Sequence, residues 1–130
     1  MDTTPKPTDL FHFSITQERT LSRDELADIM VAALEGGSNY WYTMDTAQSD
    51  KGGAEYWSQA PVYGHVTLAY ADDPDEYGWR RVDLDAVLQA MRELAQRRPA
   101  TYGRLIENDY DADDADALLQ LAAFGDILFG

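Results

Sequence analysis

The chain has 130 residues, 45% hydrophobic and 12% aromatic, with no cysteine and a formal charge of −14. Eight Tyr, four Phe and three Trp distinguish it from aromatic-poor disordered acidic chains and suit one folded domain. The composition excludes disulfides, thiolate metal sites and cysteine nucleophiles, and the charge opposes binding to phosphate backbones.

Residues 1–7, with Pro5 and Pro7, carry neither a basic start nor an apolar signal region and read as a flexible tail. Residues 8–130 read as a single domain. No run approaches the roughly 20 apolar residues of a membrane span, so the expected location is the cytoplasm. Residues 11–16 alternate, with Phe11, Phe13 and Ile15 on one side and His12, Ser14 and Thr16 on the other. Period two predicts a strand with one buried face.

A helix is predicted over 22–35. Ser22 and Glu25 form a capping-box pair, and Leu21 and Leu26 stand at staple positions. Leu26, Ile29, Met30, Ala33 and Leu34 make one apolar stripe. Gly36 and Gly37 are expected to end it by adopting the left-handed conformation. Residues 38–43, rich in aromatics and Thr, predict a strand, and residues 45–54 a loop. His65–Tyr70 predicts a strand with Val66, Leu68 and Tyr70 on one face. The acidic block 72–76 with Pro74 and Gly78 predicts a turn, and residues 79–82 a returning strand.

Asp83 is the expected cap of a second long helix, with a stripe of Leu84, Val87, Leu88, Met91, Leu94 and Ala95. Arg97 and Arg98 suit its negative end, and Pro99 stops it. Residues 101–107 predict a short helix. Carboxylates over 111–116 suit the start of a last helix. Its apolar residues are Leu118, Leu119, Leu121, Ala122 and Phe124; Gly125 ends it, and residues 127–129 fold back. The sum is an α+β domain: a small antiparallel sheet of three to four strands with two to three helices on one face.

Two candidate sites emerge. The first is acidic. Between 105 and 130 lie seven carboxylates and no Lys or Arg. Asp109, Asp111, Asp113, Asp114 and Asp116 form its centre, a candidate surface for a basic protein partner. The plainer reading is a helix whose acids complement its dipole. The same run begins as D-x-D-x-D, but Asp114 stands where a calcium loop needs Gly, and Gln120 where it needs a bidentate Glu. A zinc site would need His12 and His65 close together with a carboxylate, and isolated strand histidines are the plainer reading, so no metal site is predicted. The second candidate is a pocket at Ser38, Asn39, Tyr40 and Trp41. Gly36-Gly37-Ser38 lacks the Lys of a phosphate loop and follows a helix instead of preceding one, so neither cofactor nor catalytic residue is assigned. Clustered Tyr40, Trp41, Tyr42, Tyr56, Trp57 and Tyr63 read as core first and as a protein-binding patch second. Six arginines between 80 and 104, against three acids there, predict internal ion pairing.

Two blocks carry a resemblance. Ala33-Leu34-Glu35-Gly36-Gly37-Ser38-Asn39-Tyr40-Trp41 is one. The other joins Ala115-Asp116-Ala117-Leu118-Leu119-Gln120 to Phe124-Gly125-Asp126-Ile127-Leu128-Phe129-Gly130. Together they resemble a family of small phage and prophage proteins, which implies a mobile-element setting and no particular activity. With the charge, that setting predicts a protein that modulates a host protein, such as a nucleic-acid-mimicking inhibitor of a defence nuclease of the anti-restriction or anti-CRISPR type. Ordered carboxylates can stand in for phosphates at a basic groove. The expected partner is a basic host protein surface, not nucleic acid and not a membrane. The alternative is a small-ligand or enzymatic site near Gly37 and Trp41.

Overall fold

The computed structural model describes residues 20–130. The expected tail over 1–7, the strand over 11–16 and His12 lie outside this range.

Ser22 opens α1 (Arg23–Ala32) with a reciprocal capping box: Glu25 donates its N–H to the Ser22 hydroxyl at 3.1 Å, and the Ser22 N–H donates to the Glu25 carboxylate at 3.0 Å. Leu26, Ile29, Met30, Ala33 and Leu34 are buried, as the stripe predicts. The end of this helix differs from expectation. It continues into a π-helical turn, Ala33–Gly37, closed by the Ser38 N–H donating to the Ala33 carbonyl at 2.8 Å. The Leu34 carbonyl is taken by the Tyr42 hydroxyl at 2.6 Å. Neither Gly36 nor Gly37 has a positive φ. Gly37 serves close approach instead: a Cβ there would fall on the Ala112 carbonyl group, 2.8 Å from its carbon.

The strand expected over 38–43 is shorter and later, β1 (Tyr42–Met44). Ser38 to Trp41 form a turn, with the Trp41 N–H donating to the Ser38 carbonyl at 3.1 Å. An extended chain would send the side chains at 38 and 41 to opposite faces. The turn brings Ser38, Tyr40 and Trp41 to one point. A short helix α2 (Ala60–Tyr63) leads into β2 (His65–Tyr70), which pairs antiparallel with β1, Thr43 opposite Ala69. The acidic block holds one helical turn, α3 (Pro74–Tyr77), capped by Asp73 and left through Gly78 at φ 79°. β3 (Arg80–Asp83) returns antiparallel to β2, Val82 opposite Val66. The sheet order is β1-β2-β3, three strands among the described residues.

Asp83 caps α4 (Leu84–Arg97), accepting from the Ala86 N–H at 3.0 Å. α5 (Pro99–Ile106) follows, then α6 (Ala112–Phe124), which ends at Gly125 in the left-handed conformation. The class is α+β, but six helices rather than two or three are present among the described residues. Four of the six match helices expected along the chain; the two with no counterpart, α2 and α3, are single turns built on Pro61 and Pro74 in the first turn, too short for a periodic signal. α6 is central: it packs against α1, its π-turn, α4, α5 and β3. Nine of its thirteen residues are buried, two of them aspartates.

Candidate functional site

The two candidate sites meet. Asp116, buried on α6, receives four side-chain hydrogen bonds. Its Oδ1 accepts from the Ser38 hydroxyl at 2.7 Å and from Trp41 Nε1 at 2.8 Å. Its Oδ2 accepts from the Tyr40 hydroxyl at 2.7 Å and from Gln120 Nε2 at 3.0 Å. Gln120, one helical turn on, holds the returning chain. Its Oε1 accepts from the N–H groups of Leu128 and Phe129 at 2.8 Å each, and its Nε2 donates to the Phe129 carbonyl at 3.1 Å. One carboxylate and one carboxamide thus bind three segments together: the turn after α1, the middle of α6 and the chain after it.

The surroundings are aromatic. Trp41 is fully buried and stacks on Phe129 at 5.4 Å between ring centres, and Phe129 stacks on Tyr70 at 4.8 Å. Tyr77 and Phe124 close the cluster. The Tyr40 ring is half exposed while its hydroxyl points at Asp116. Loss of solvent around the hydroxyl, then its bond to the Asp116 carboxylate, pushes its pKa up to about 12. A cavity of about 350 Å³ lies beside the network, bordered by Tyr40, Arg98, Asp113, Asp116, Gln120 and Phe129. Asn39, the fourth expected pocket residue, is exposed and does not border it. Among the described residues no buried side-chain polar atom lacks a partner.

The acidic run is therefore not one surface. Asp109, Asp111 and Asp113 face solvent; Asp114 and Asp116 are turned inward. Nor is the run free of cations, as reading the linear sequence implied. Arg104, ten residues before Asp114, donates to it from both Nε, at 2.8 Å, and Nη2, at 2.7 Å. Asp114 also completes the α6 capping box with Asp111, whose Oδ1 accepts the Asp114 N–H at 2.9 Å. The Arg104 guanidinium and the bond from Asp111 hold the Asp114 carboxyl below its ordinary range, against the opposing pull of burial. A depressed carboxyl contributes stability above its unfolded pKa of about 4 that is lost as pH falls through the lower folded value. Asp114→Asn should therefore be less sensitive than the parent to acid unfolding below about pH 4. Urea titrations at pH 7 and pH 3 measure this; an equal loss of midpoint in both proteins would refute it.

Of the six arginines, Arg81, Arg97 and Arg104 make internal ion pairs, in part as their clustering predicts. Arg97 pairs with Asp126 at 2.6 Å, which ties the end of α4 to the chain after α6, and Arg81 with Asp83 at 3.4 Å. The aromatic group splits: Trp41 is core, Tyr42, Trp57 and Tyr63 are half-buried, and Tyr40 and Tyr56 are exposed. His65 lies in β2, its backbone bridged to Asp50. Among the described residues no three His, Asp or Glu side chains are grouped to hold a metal ion, and no helix is long and apolar enough to cross a membrane.

One signal for Asp116 was present in the sequence. Asp116 and Gln120 are the only polar residues between Ala115 and Phe124, and they stand at i and i+4 on one face. Polar groups on the buried face of a helix need partners inside the fold. Charge alone groups Asp116 with its exposed neighbours. No protein-family model, curated protein or solved structure matches the chain.

Proposed function

We propose that the chain is a protein-binding modulator that presents ordered carboxylates to a basic host protein surface, in the manner of a nucleic-acid mimic. The setting is a phage or mobile element acting in a bacterial cytoplasm, and inhibition of a defence nuclease fits that setting. The observation that carries the reading is the division of the acidic run. Asp109, Asp111 and Asp113 point outward from a helix start that Asp114–Arg104 and the Asp116 network fix from inside. Charges held on a fixed frame lose little freedom on binding, which favours recognition over mere solubility.

The alternative, a small-ligand site near Trp41, is favoured by the cavity beside Tyr40 and Arg98. Against it, the inner polar atoms of that site are satisfied by one another.

The test is capture of bacterial lysate proteins on the immobilised chain, with duplex DNA as competitor. The reading expects retention of a basic nucleic-acid-binding protein that duplex DNA displaces, and no gel shift of DNA by the chain itself. The triple variant Asp109→Asn, Asp111→Asn, Asp113→Asn keeps the α6 cap, since Asn also caps. It should weaken that complex by roughly tenfold or more and flatten its salt dependence. Equal affinity and an equal salt slope in the triple variant would reject this surface.

A further inference from the structure

Three of the clustered aromatics meet away from the Asp116 network. Tyr42 on β1, with Tyr56 and Trp57 at the head of the 3-10 turn Trp57–Gln59, borders a cavity of about 250 Å³. Leu34 and Met44 add apolar wall, and Glu35, on the π-turn, supplies a carboxylate. That carboxylate is held in place: the hydroxyl of buried Ser58 donates to Glu35 Oε2 at 2.6 Å. Core packing does not account for these rings, since Tyr56 is 57% exposed and Tyr42 and Trp57 are half-buried. We propose that this cavity binds a trimethylammonium group, the head group of choline and of trimethylated lysine.

The walls select that ligand. An aromatic face attracts a cation within roughly 6 Å of its centre, and rings around a small cavity act on one cation together. Trp57 already holds a cation: Lys51 Nζ, which does not border the cavity, lies 5.2 Å from the ring centre. Charge agrees, because Glu35 provides a counter-ion and the chain carries a formal −14. Burial, and then the Glu35 carboxylate, push the Tyr42 hydroxyl pKa up, so that ring stays a neutral phenol. Methylation is selected by the scarcity of acceptors. A primary ammonium brings three N–H donors. Here Glu35 Oε2 is taken by Ser58, and the Tyr42 hydroxyl is tied to the Leu34 carbonyl at 2.6 Å. A quaternary nitrogen brings no donor and needs only charge and apolar contact. Size agrees as well: about 250 Å³ is below the roughly 300–1,000 Å³ of sites for drug-sized ligands, which suits a head group. The cavity shares no residue with the surface of Asp109, Asp111 and Asp113, so neither depends on the other.

The test is titration of the full chain with choline, followed by amide NMR at about 0.15 M salt, where long-range attraction to the acidic chain is screened. Choline should shift the amides of Tyr56, Trp57 and Ser58. It should bind roughly tenfold more tightly than its neutral isostere, in which carbon replaces nitrogen, and than ethanolamine, its unmethylated analogue. Trp57→Leu and Glu35→Gln should each weaken binding roughly fivefold or more. Gln keeps an acceptor for Ser58, so the second variant preserves the local fold. Trp79→Leu, at an exposed position outside the cavity, should bind as the parent does. A peptide carrying trimethyl-lysine tells the sources apart: binding tighter than choline assigns a modified protein, and weaker binding a free metabolite. Equal affinity for choline and its neutral isostere would overturn the proposal. So would unchanged affinity in Glu35→Gln, or no choline-induced shift at Tyr56, Trp57 and Ser58.

Discussion

Asp116→Ala should be the most damaging single side-chain truncation among the aspartates, lowering stability by about 3–5 kcal/mol. The substitution removes no apolar surface, so an argument from hydrophobic burial expects little. The cost arises from the four donors left behind. Ser38 and Trp41 are fully buried, so their O–H and N–H groups have no water to turn to. Gln120 would lose one of the bonds that orient it toward Leu128 and Phe129. A domain of this size should then melt roughly 10–20 °C lower. Asp116→Asn separates charge from hydrogen bonding. Its oxygen can still accept from Ser38 and Trp41, and the Tyr40 hydroxyl can rotate to accept from the new amide. Only the Gln120 amide then faces another donor, so the expected loss is smaller, about 1–2 kcal/mol. Urea denaturation of both variants measures the difference. A truncation within 1 kcal/mol of the parent would show that the network is not what joins the turn, α6 and the chain that follows.

Gly37→Ala should be nearly as severe, about 3 kcal/mol or more, while Gly36→Ala should be neutral or slightly stabilising. The two glycines are adjacent and occupy the same π-turn. They differ only in what lies beside them. A Cβ on Gly37 would strike the Ala112 carbonyl, and neither backbone segment can yield: Ala112 begins α6, and the turn is held by Ser38 and Trp41 on Asp116. A Cβ on Gly36 meets nothing within 4 Å. Both positions lie in a helical turn, where Ala is favoured over Gly by about 1 kcal/mol. Comparing thermal midpoints of the two variants tests the contact directly. Equal effects would refute it. A Gly37→Ala protein that also gains Trp41 exposure, read from fluorescence quenching, would show that the α6 contact sets the turn.

Much of the fold was legible because it rests on short-range physics. Capping by Ser22, Asp83 and Asp111 depends on a side chain and the backbone three residues on. The periodic stripes of α1 and α4 and the alternation of β2 depend on neighbours within a turn or a pleat. The strand expected at 38–43 fails because local preference of Tyr and Trp for strands yields to a target 75 or more residues away. Three side chains in four residues must reach one carboxylate, and only a turn allows it. By residue type Gly37 is a helix stop, whereas its role is set by Ala112.

The acidic run shows the same boundary most clearly. The sequence by itself determined how many carboxylates lie between 105 and 130 and that the chain as a whole is acidic. It also offered candidate sites at Ser38–Trp41 and in the acidic run that holds Asp116. Only the tertiary structure decided that the two meet in one network, and that of five neighbouring aspartates three face water and two face inward. The reason is that charge is a property of composition, whereas exposure depends on which side of α6 each residue occupies once α1, α4 and α5 have packed around it. A buried carboxylate is tolerated only where donors converge, and those donors come from chain segments whose approach no local pattern encodes.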